Sequence, residues 1–339
     1  MAEDGGTAAA LDAHGHVEGR ESGEDREHRE TREHRENRET RENQENPEDR
    51  ENREGREGRE DRLPAAAGPW RLVREGARAY WLIAAMAIRS QLAYRLSFAT
   101  TAFGNLAATV FDFVTILLMF SQVHALGGFS LPEVAFLYGT SSTAFGLTDL
   151  AMGSTERIGT RVRDGTFDVL LLRPVPVLAQ VAADRFVLRR LGRIVQALAV
   201  LGYALCATSV DWDAARVALM PLMVVSGALI FGAVFVVGAA FQFWAQDSAQ
   251  VQNAFTYGGT TLLQYPPGLF AKDLVRGVVF VVPLAFVSWI PALYVLGRPL
   301  PLGLPGWVAF LSPAVAAVCC ALAAAVWRLA LRSYRSTGS

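Results

Sequence analysis

Beyond residue 98 the apolar positions gather into six long stretches, approximately Ala99 to Phe120, Glu133 to Met152, Leu191 to Ser209, Val217 to Trp244, Leu274 to Leu296 and Trp307 to Leu331. Each reaches the roughly 20 mainly apolar residues that a helix needs to span a bilayer. The second is the most polar of them, rich in Ser, Thr and Gly. Ahead of the first stretch, "WRLVREGARAYWLIAAMAIRSQLAYR" sets Val73, Ala77, Tyr80, Trp81, Ala84 and Ile88 on one helical face and Arg71, Arg74 and Arg78 on another. That pattern predicts a helix lying in the membrane interface, over residues 70–98. A seventh span is the competing reading, with Arg89 inside it as the objection.

The connections differ in charge. The first, third and fifth are nearly free of arginine, whereas the approach to the first stretch, the second connection and the C-terminal end are rich in it. Basic connections stay on the cytoplasmic side, so both ends of the chain and the second connection are expected there. Between the fourth and fifth stretches, "AQVQNAFTYGGTTLLQYPPGLFAKD" is too polar to face lipid, and Gly258-Gly259 and Pro266-Pro267-Gly268 are expected to break any long helix. It forms either a short interfacial helix or the lining of an enclosed path.

The first 62 residues are of another kind. They hold 12 arginines against 21 acidic residues, while the rest holds 20 basic residues against 12, so the net charge of −1 conceals a tail near −9 and a body near +8. From Arg26 to Asp61 the tail repeats Arg-Glu-x with few breaks. A period of three matches no buried helical stripe, and so polar a segment cannot offset the entropy of ordering. Residues 1–69 are therefore read as a disordered tail, and its start carries no secretory pattern. The three cysteines lie in or beside apolar runs without metal-ligand spacing and read as packing residues.

Candidate chemistry is sparse. The only lysine is Lys272, so no Gly-x-x-x-x-Gly-Lys-Ser/Thr loop exists in the chain. No His-Glu-x-x-His or Gly-x-Ser-x-Gly is present either, which argues against an enzyme. Asp112, within the first stretch, is costly in a bilayer unless paired or hydrated and is a candidate for the substrate path. Gln242 and Trp244, where the fourth stretch meets the cytoplasm, are further path candidates, although an interfacial belt explains them equally. Asp149 is expected to pair with arginines of the second connection. Ala228 and Gly232 permit close helix approach.

The second connection has the most structure. Ser154 is placed to cap a helix with Glu156 in its first turn and Arg161 and Arg163 at its end, and Gly165 is a natural stop. Val169 to Leu172 follow, and Pro174 and Pro176 stiffen the exit. On physical grounds this is either a lever for a soluble partner or an ordinary basic cytoplasmic loop. "RDGTFDVLLLRPVPVLAQ" resembles the Glu/Arg-x-Gly-Thr-Leu-Glu-x-Leu-Leu-x-x-Pro signature after the second span of ABC-2 type transporter permeases. It is closer still to a six-span bacterial subgroup that reads Gly-x-x-Asp-x-Leu-Leu-x-Arg-Pro. "IRSQLAYRLSF", "IPALYVLGRPLPLGLP" and "WRLALRSYRSTGS" agree in order, from about Tyr80 to Ser339, and Phe167 departs conservatively from the family's leucine.

The resemblance implies an all-α polytopic permease of the bacterial cytoplasmic membrane, with six transmembrane helices over 99–339 and a coupling loop from Ser154 to Pro176. It implies that Arg163, Asp164, Gly165, Asp168, Leu170, Leu171, Arg173 and Pro174 belong to the contact with a separate ATP-binding subunit, present in two copies. It further implies a second permease chain, identical or homologous, and export of a small molecule, drug or lipid. ATP and Mg would be held by the partner, with no cofactor in this chain and no nucleic-acid partner. The competing class is a transporter driven by an ion gradient, with Asp112 as its ion or proton site.

Overall fold

The computed structural model describes residues 69–93, 125–184, 187, 190–245 and 248–334, with individual positions between 99 and 120. The tail, Asp112 and much of the first apolar stretch lie outside the described residues. The unit from Gly68 to Ser339 is built of helices, with no strand among the described residues. In chain order they are α1 (Pro69–Ala93), α2 (Leu131–Met152), α3 (Ile158–Arg163), α4 (Phe167–Leu171), α5 (Val177–Ala183), α6 (Leu191–Ala207), α7 (Ala214–Phe241), α8 (Ala249–Leu263), α9 (Lys272–Arg276), α10 (Trp289–Val295) and α11 (Ser312–Ser333).

The most polar of the apolar stretches became the centre. α2 is buried over most of its length, including Thr140, Ser141, Ser142, Thr143 and Thr148. Its hydroxyls donate back to carbonyls one turn earlier: Thr140 to Phe136 at 2.9 Å, Ser141 to Leu137 at 2.8 Å, Thr143 to Gly139 at 2.6 Å and Thr148 to Ala144 at 3.1 Å. A polar group so satisfied no longer opposes burial. Glycine supplies the rest. A Cβ on Gly139 would lie 2.8 Å from the Leu201 backbone and one on Gly146 2.9 Å from Ile194, so α2 and the antiparallel α6 touch nearly backbone to backbone. The helix starts at a capping box, with the Ser130 amide donating to Glu133 at 2.8 Å. α2 thereby gives the bundle two ends, one marked by Glu133 and the other by Asp149.

α7 runs alongside α2 in the same direction, fixed by Thr148 donating to the Ala228 carbonyl at 2.7 Å. The small residues Ala228 and Gly232 therefore admit α2. α11 follows α7, with the Cys320 thiol 3.8 Å from the Leu229 carbonyl. α7 and the continuous segment Gly306–Ser333 are long and apolar enough to cross a membrane, and α6 is a shorter apolar helix. α1 packs along α5, where Gly76 meets Pro176, and Tyr80 donates to the Ala151 carbonyl at 3.1 Å.

The fifth apolar stretch departs from the sequence reading. The limb Lys272–Val281, which ends in a π turn, and the limb Leu284–Val295 meet at an angle of 79°. Pro283 lies at the break, where it can donate no amide hydrogen bond. Both outer ends lie at the Glu133 end of the bundle: Lys272 and Arg276 share a cavity of about 930 Å³ with Phe129 and Arg298, and Arg298 clasps Glu133 at 2.7 and 2.9 Å. The apex stops midway, where Leu284 fills the space beside Gly259. The traverse from the Asp149 end to the Glu133 end is made by α8, which runs unbroken through Gly258-Gly259. Its course is fixed by Gln252 against Gly238, by Gln264 donating to Ser142 at 3.2 Å, and by Pro266 and Leu269 beside Gly127.

Candidate coupling surface

At the Asp149 end the chain leaves α2 through a 3-10 turn, Gly153–Arg157, before α3 begins. Ser154 thus lies within the turn, and the residue that immediately precedes α3 is Arg157. The tight turn follows from Gly153, where a Cβ would fall 1.9 Å from the Arg190 guanidinium and 2.4 Å from the Asp149 carboxylate. α3 ends as the sequence predicts: Gly165 has φ +67°, a left-handed conformation that ends the helix at little cost only for glycine.

α4 then turns two side chains inward. Phe167 is fully enclosed, with edge-to-face contacts to Phe243 at 5.0 Å and Tyr334 at 4.9 Å between ring centres. Leu170 is also buried, and its carbonyl accepts from the Gln180 amide at 3.0 Å, which donates to the Val175 carbonyl as well at 2.8 Å. Tyr334, just beyond α11, donates to Asp168 at 2.7 Å. Arg161 of α3 pairs with Asp184 after α5. The loop is therefore a braced body, tied to α5, the end of α7 and the end of α11.

The residues singled out from sequence divide accordingly. Arg163, Asp164, Leu171, Arg173 and Pro174 face outward, joined by Val169 and by Leu172, which is 84% exposed. Gly165 sets the turn, and Asp168 and Leu170 serve the internal bracing. Phe167 is read from the sequence as a loop residue that departs from the family's leucine, and Gln180, Phe243, Trp327 and Tyr334 are not singled out there as parts of this body. Its only sequence signal is the aromatic side chain of Phe167 where the resembling family has leucine.

Burial, followed by the hydrogen bond to Asp168 and the charge of that carboxylate, pushes the Tyr334 phenol up to about 12 from its ordinary 10.0. A phenol held more tightly in the folded state stabilises it fully below pH 10.0, and the contribution is lost as pH rises towards about 12. Protease cutting within the loop is therefore expected to accelerate over that interval in the wild type. In Tyr334→Phe the acceleration over that interval should be absent; an unchanged profile would show that Tyr334 does not brace the loop.

Two further sets of contacts carry the loop to α8. Gln242, one of the path candidates, is fully buried, accepting from the Gly159 amide at 2.8 Å and donating to Gln252 at 2.7 Å. It spans α3 and α8, while Trp244 stays half exposed beside it. Asp149 lies beside Arg190 at 3.4 Å and Arg193 at 3.8 Å, and the Tyr257 hydroxyl of α8 reaches it at 3.5 Å. The Arg193 guanidinium lies over the Phe145 ring at 5.2 Å and the Tyr257 ring at 5.6 Å. Glu156, in the 3-10 turn, joins this group; burial and then the Asp149 charge push its carboxyl up.

The sequence profile of the family described as ABC-2 family transporter protein matches residues 106–338, about two thirds of the chain. The chain belongs to that family. As an ABC-2 permease it is a membrane transport subunit, and its family associates in general with an ATP-binding subunit. No curated protein and no solved structure matches it. For this ABC-2 permease the braced loop is the best-formed candidate surface at the Asp149 end.

Proposed function

We propose that this permease couples ATP hydrolysis on a separate pair of ATP-binding subunits to export of a small molecule, drug or lipid from a bacterial cell. The observation that carries the reading is an apolar, exposed cap on a rigid base. Val169, Leu171 and Leu172 project from α4 and its exit, while Phe167, Leu170 and Asp168 of the same segment are anchored inside. Exposed apolar residues gathered on a polar rim mark a partner site, and anchoring lets a push at the cap move what lies behind it.

The push has two routes to α8, through Gln242–Gln252 and through Asp149–Tyr257. In this reading the six crossings are the first stretch, α2, α6, α7, α8 and α11, all in the cytoplasmic membrane, with the bent limbs 272–295 dipping in from the outer side. Both termini and the coupling loop are then cytoplasmic. α8 lines the path, which forms between this chain and a second permease chain, identical or homologous. Nucleotide and Mg belong to the partner.

The test is co-purification with an ATP-binding protein encoded beside the gene. Val169→Asp with Leu172→Asp alters only exposed positions and should lower the retained ATPase more than about tenfold, since two central apolar contacts carry roughly 1–2 kcal/mol each. Full retention by that variant would remove the cap from the docking surface. A well-folded wild type that retains no ATPase would favour a gradient-driven transporter and make Asp112 the residue to test.

A further inference from the structure

A groove of about 410 Å³ lies between α7, α8, the apex of the bent limbs and α11. Its walls are apolar: Val237 and Phe241 of α7, Val251 and Phe255 of α8, Val281 at the apex and Leu322 of α11. All six are exposed, and the volume falls within the roughly 300–1,000 Å³ of small-molecule sites. At one end the chemistry changes. Ser248 immediately precedes the first residue of α8, and its hydroxyl makes no capping bond. Among the described residues neither that hydroxyl nor the Gln252 Nε2 finds a hydrogen-bond partner, although Ser248 is 8% and Gln252 3% exposed.

Idle buried donors are costly, about 1–3 kcal/mol each. Here two of them stand at the N-terminus of a 15-residue helix, whose own amides also favour an acceptor. The polar end lies beside Gln242, at the Asp149 end of the bundle. In the membrane placement proposed above, on which this inference rests, that is the depth of the glycerol esters of the inner leaflet. An acyl ester fits both halves: a hydrocarbon chain for the walls and a carbonyl that only accepts for the donors.

We propose that this groove binds a glycerolipid of the surrounding bilayer, with one acyl chain along Phe255 and Leu322 and its ester carbonyl on Ser248 and Gln252. Ser248 reaches the carbonyl by rotation about its one side-chain torsion. Gly238 keeps Gln252 in place, since a Cβ there would meet the Gln252 side chain at 2.5 Å. The bound lipid would lie between α8 and α11, distinct from the coupling cap.

The experiment uses the full chain in phosphatidylcholine nanodiscs carrying a trace of diazirine-tagged phosphatidylcholine, either ester-linked or ether-linked, with labelled peptides mapped after irradiation. The ester form should label the Val251–Phe255 segment about fivefold more than the ether form, as one net hydrogen bond of about 1 kcal/mol requires. Ser248→Ala should bring that ratio towards one. Val237→Trp, which fills the groove without touching either donor, should abolish labelling there by both forms. Equal labelling by the two forms in the wild type would overturn the ester contact. Absence of label, together with disulfide cross-linking of Phe255→Cys chains to each other, would overturn it in favour of a second copy covering the groove. None of these results depends on ATPase retention, so failure here and failure of the transport reading are separable.

Discussion

Phe167→Ala is expected to detach the coupling loop from the bundle, with a loss of roughly 3–5 kcal/mol, the usual cost of emptying a fully buried aromatic site. The ring touches Phe243 after α7 and Tyr334 after α11, so its removal opens a hole shared by three segments. Surrounding residues cannot refill it easily, because Phe243 is already committed to Trp327 at 5.7 Å. The readout is limited proteolysis of residues 158–180 beside a melting curve of the whole chain. Rapid cutting in the loop with little change elsewhere is the expected pattern. Phe167→Leu, which restores the residue favoured in the resembling family, should recover most of the protection. Equal protease resistance in the alanine variant would mean that the ring cluster does not hold the loop.

Asp149→Ala comes second in expected size. Asp149 is 4% exposed and faces Arg190 and Arg193, while its backbone carbonyl also accepts from Arg190 at 2.6 Å. Removing the carboxylate takes the nearest counter-ion from two guanidinium groups in a partly buried site, with Glu156 the acid left in the group, and breaking such a pair typically costs about 3–5 kcal/mol. Asp149→Asn keeps the shape and loses the charge, so it should be nearly as damaging. A triple change that also replaces Arg190 and Arg193 with glutamine should be milder than Asp149→Ala alone, because neither guanidinium is left without its carboxylate partner. Thermal unfolding in detergent orders the three variants. If the triple variant is the least stable, the group contributes through packing and the charge argument fails.

Several features are legible in the sequence alone. Long apolar runs, uncharged from Val217 to Trp244 and from Trp307 to Trp327, give α7 and the last helix, because a run of that length has few other stable forms. The Gly165 stop was legible for the same kind of reason: a local backbone requirement with one permissive residue. What escaped was everything that depends on direction or distant partners. Leu274 to Leu296 is apolar enough to span, but hydropathy records composition and is silent about a return; the break at Pro283 was in the sequence with nothing to weigh it against. The polar composition of α8 gives no hint of its burial against α7, because that burial rests on bonds seen only in the fold: its Thr256 and Thr260 hydroxyls donate within the helix and Gln252 accepts from Gln242. In the loop, the residues themselves were legible, whereas their inward or outward sense was not. That sense is set by Phe243, Trp327 and Tyr334, all at least 67 residues beyond Pro176 at the loop's end.

The polar character of α2 bears finally on how such a chain is made. A ribosome delivers the helices to the bilayer one at a time, in order, and each segment partitions on its own apolarity before its neighbours exist. α2 emerges before α6 and α7, yet Gly139, Gly146 and Thr148 find their contacts only on those two helices. It therefore has to wait, loosely held, until the later helices close around it. Slow translation or loss of apolar character in α6 or α7 would then appear first as degradation of newly made chain, long before any defect in the mature protein's transport.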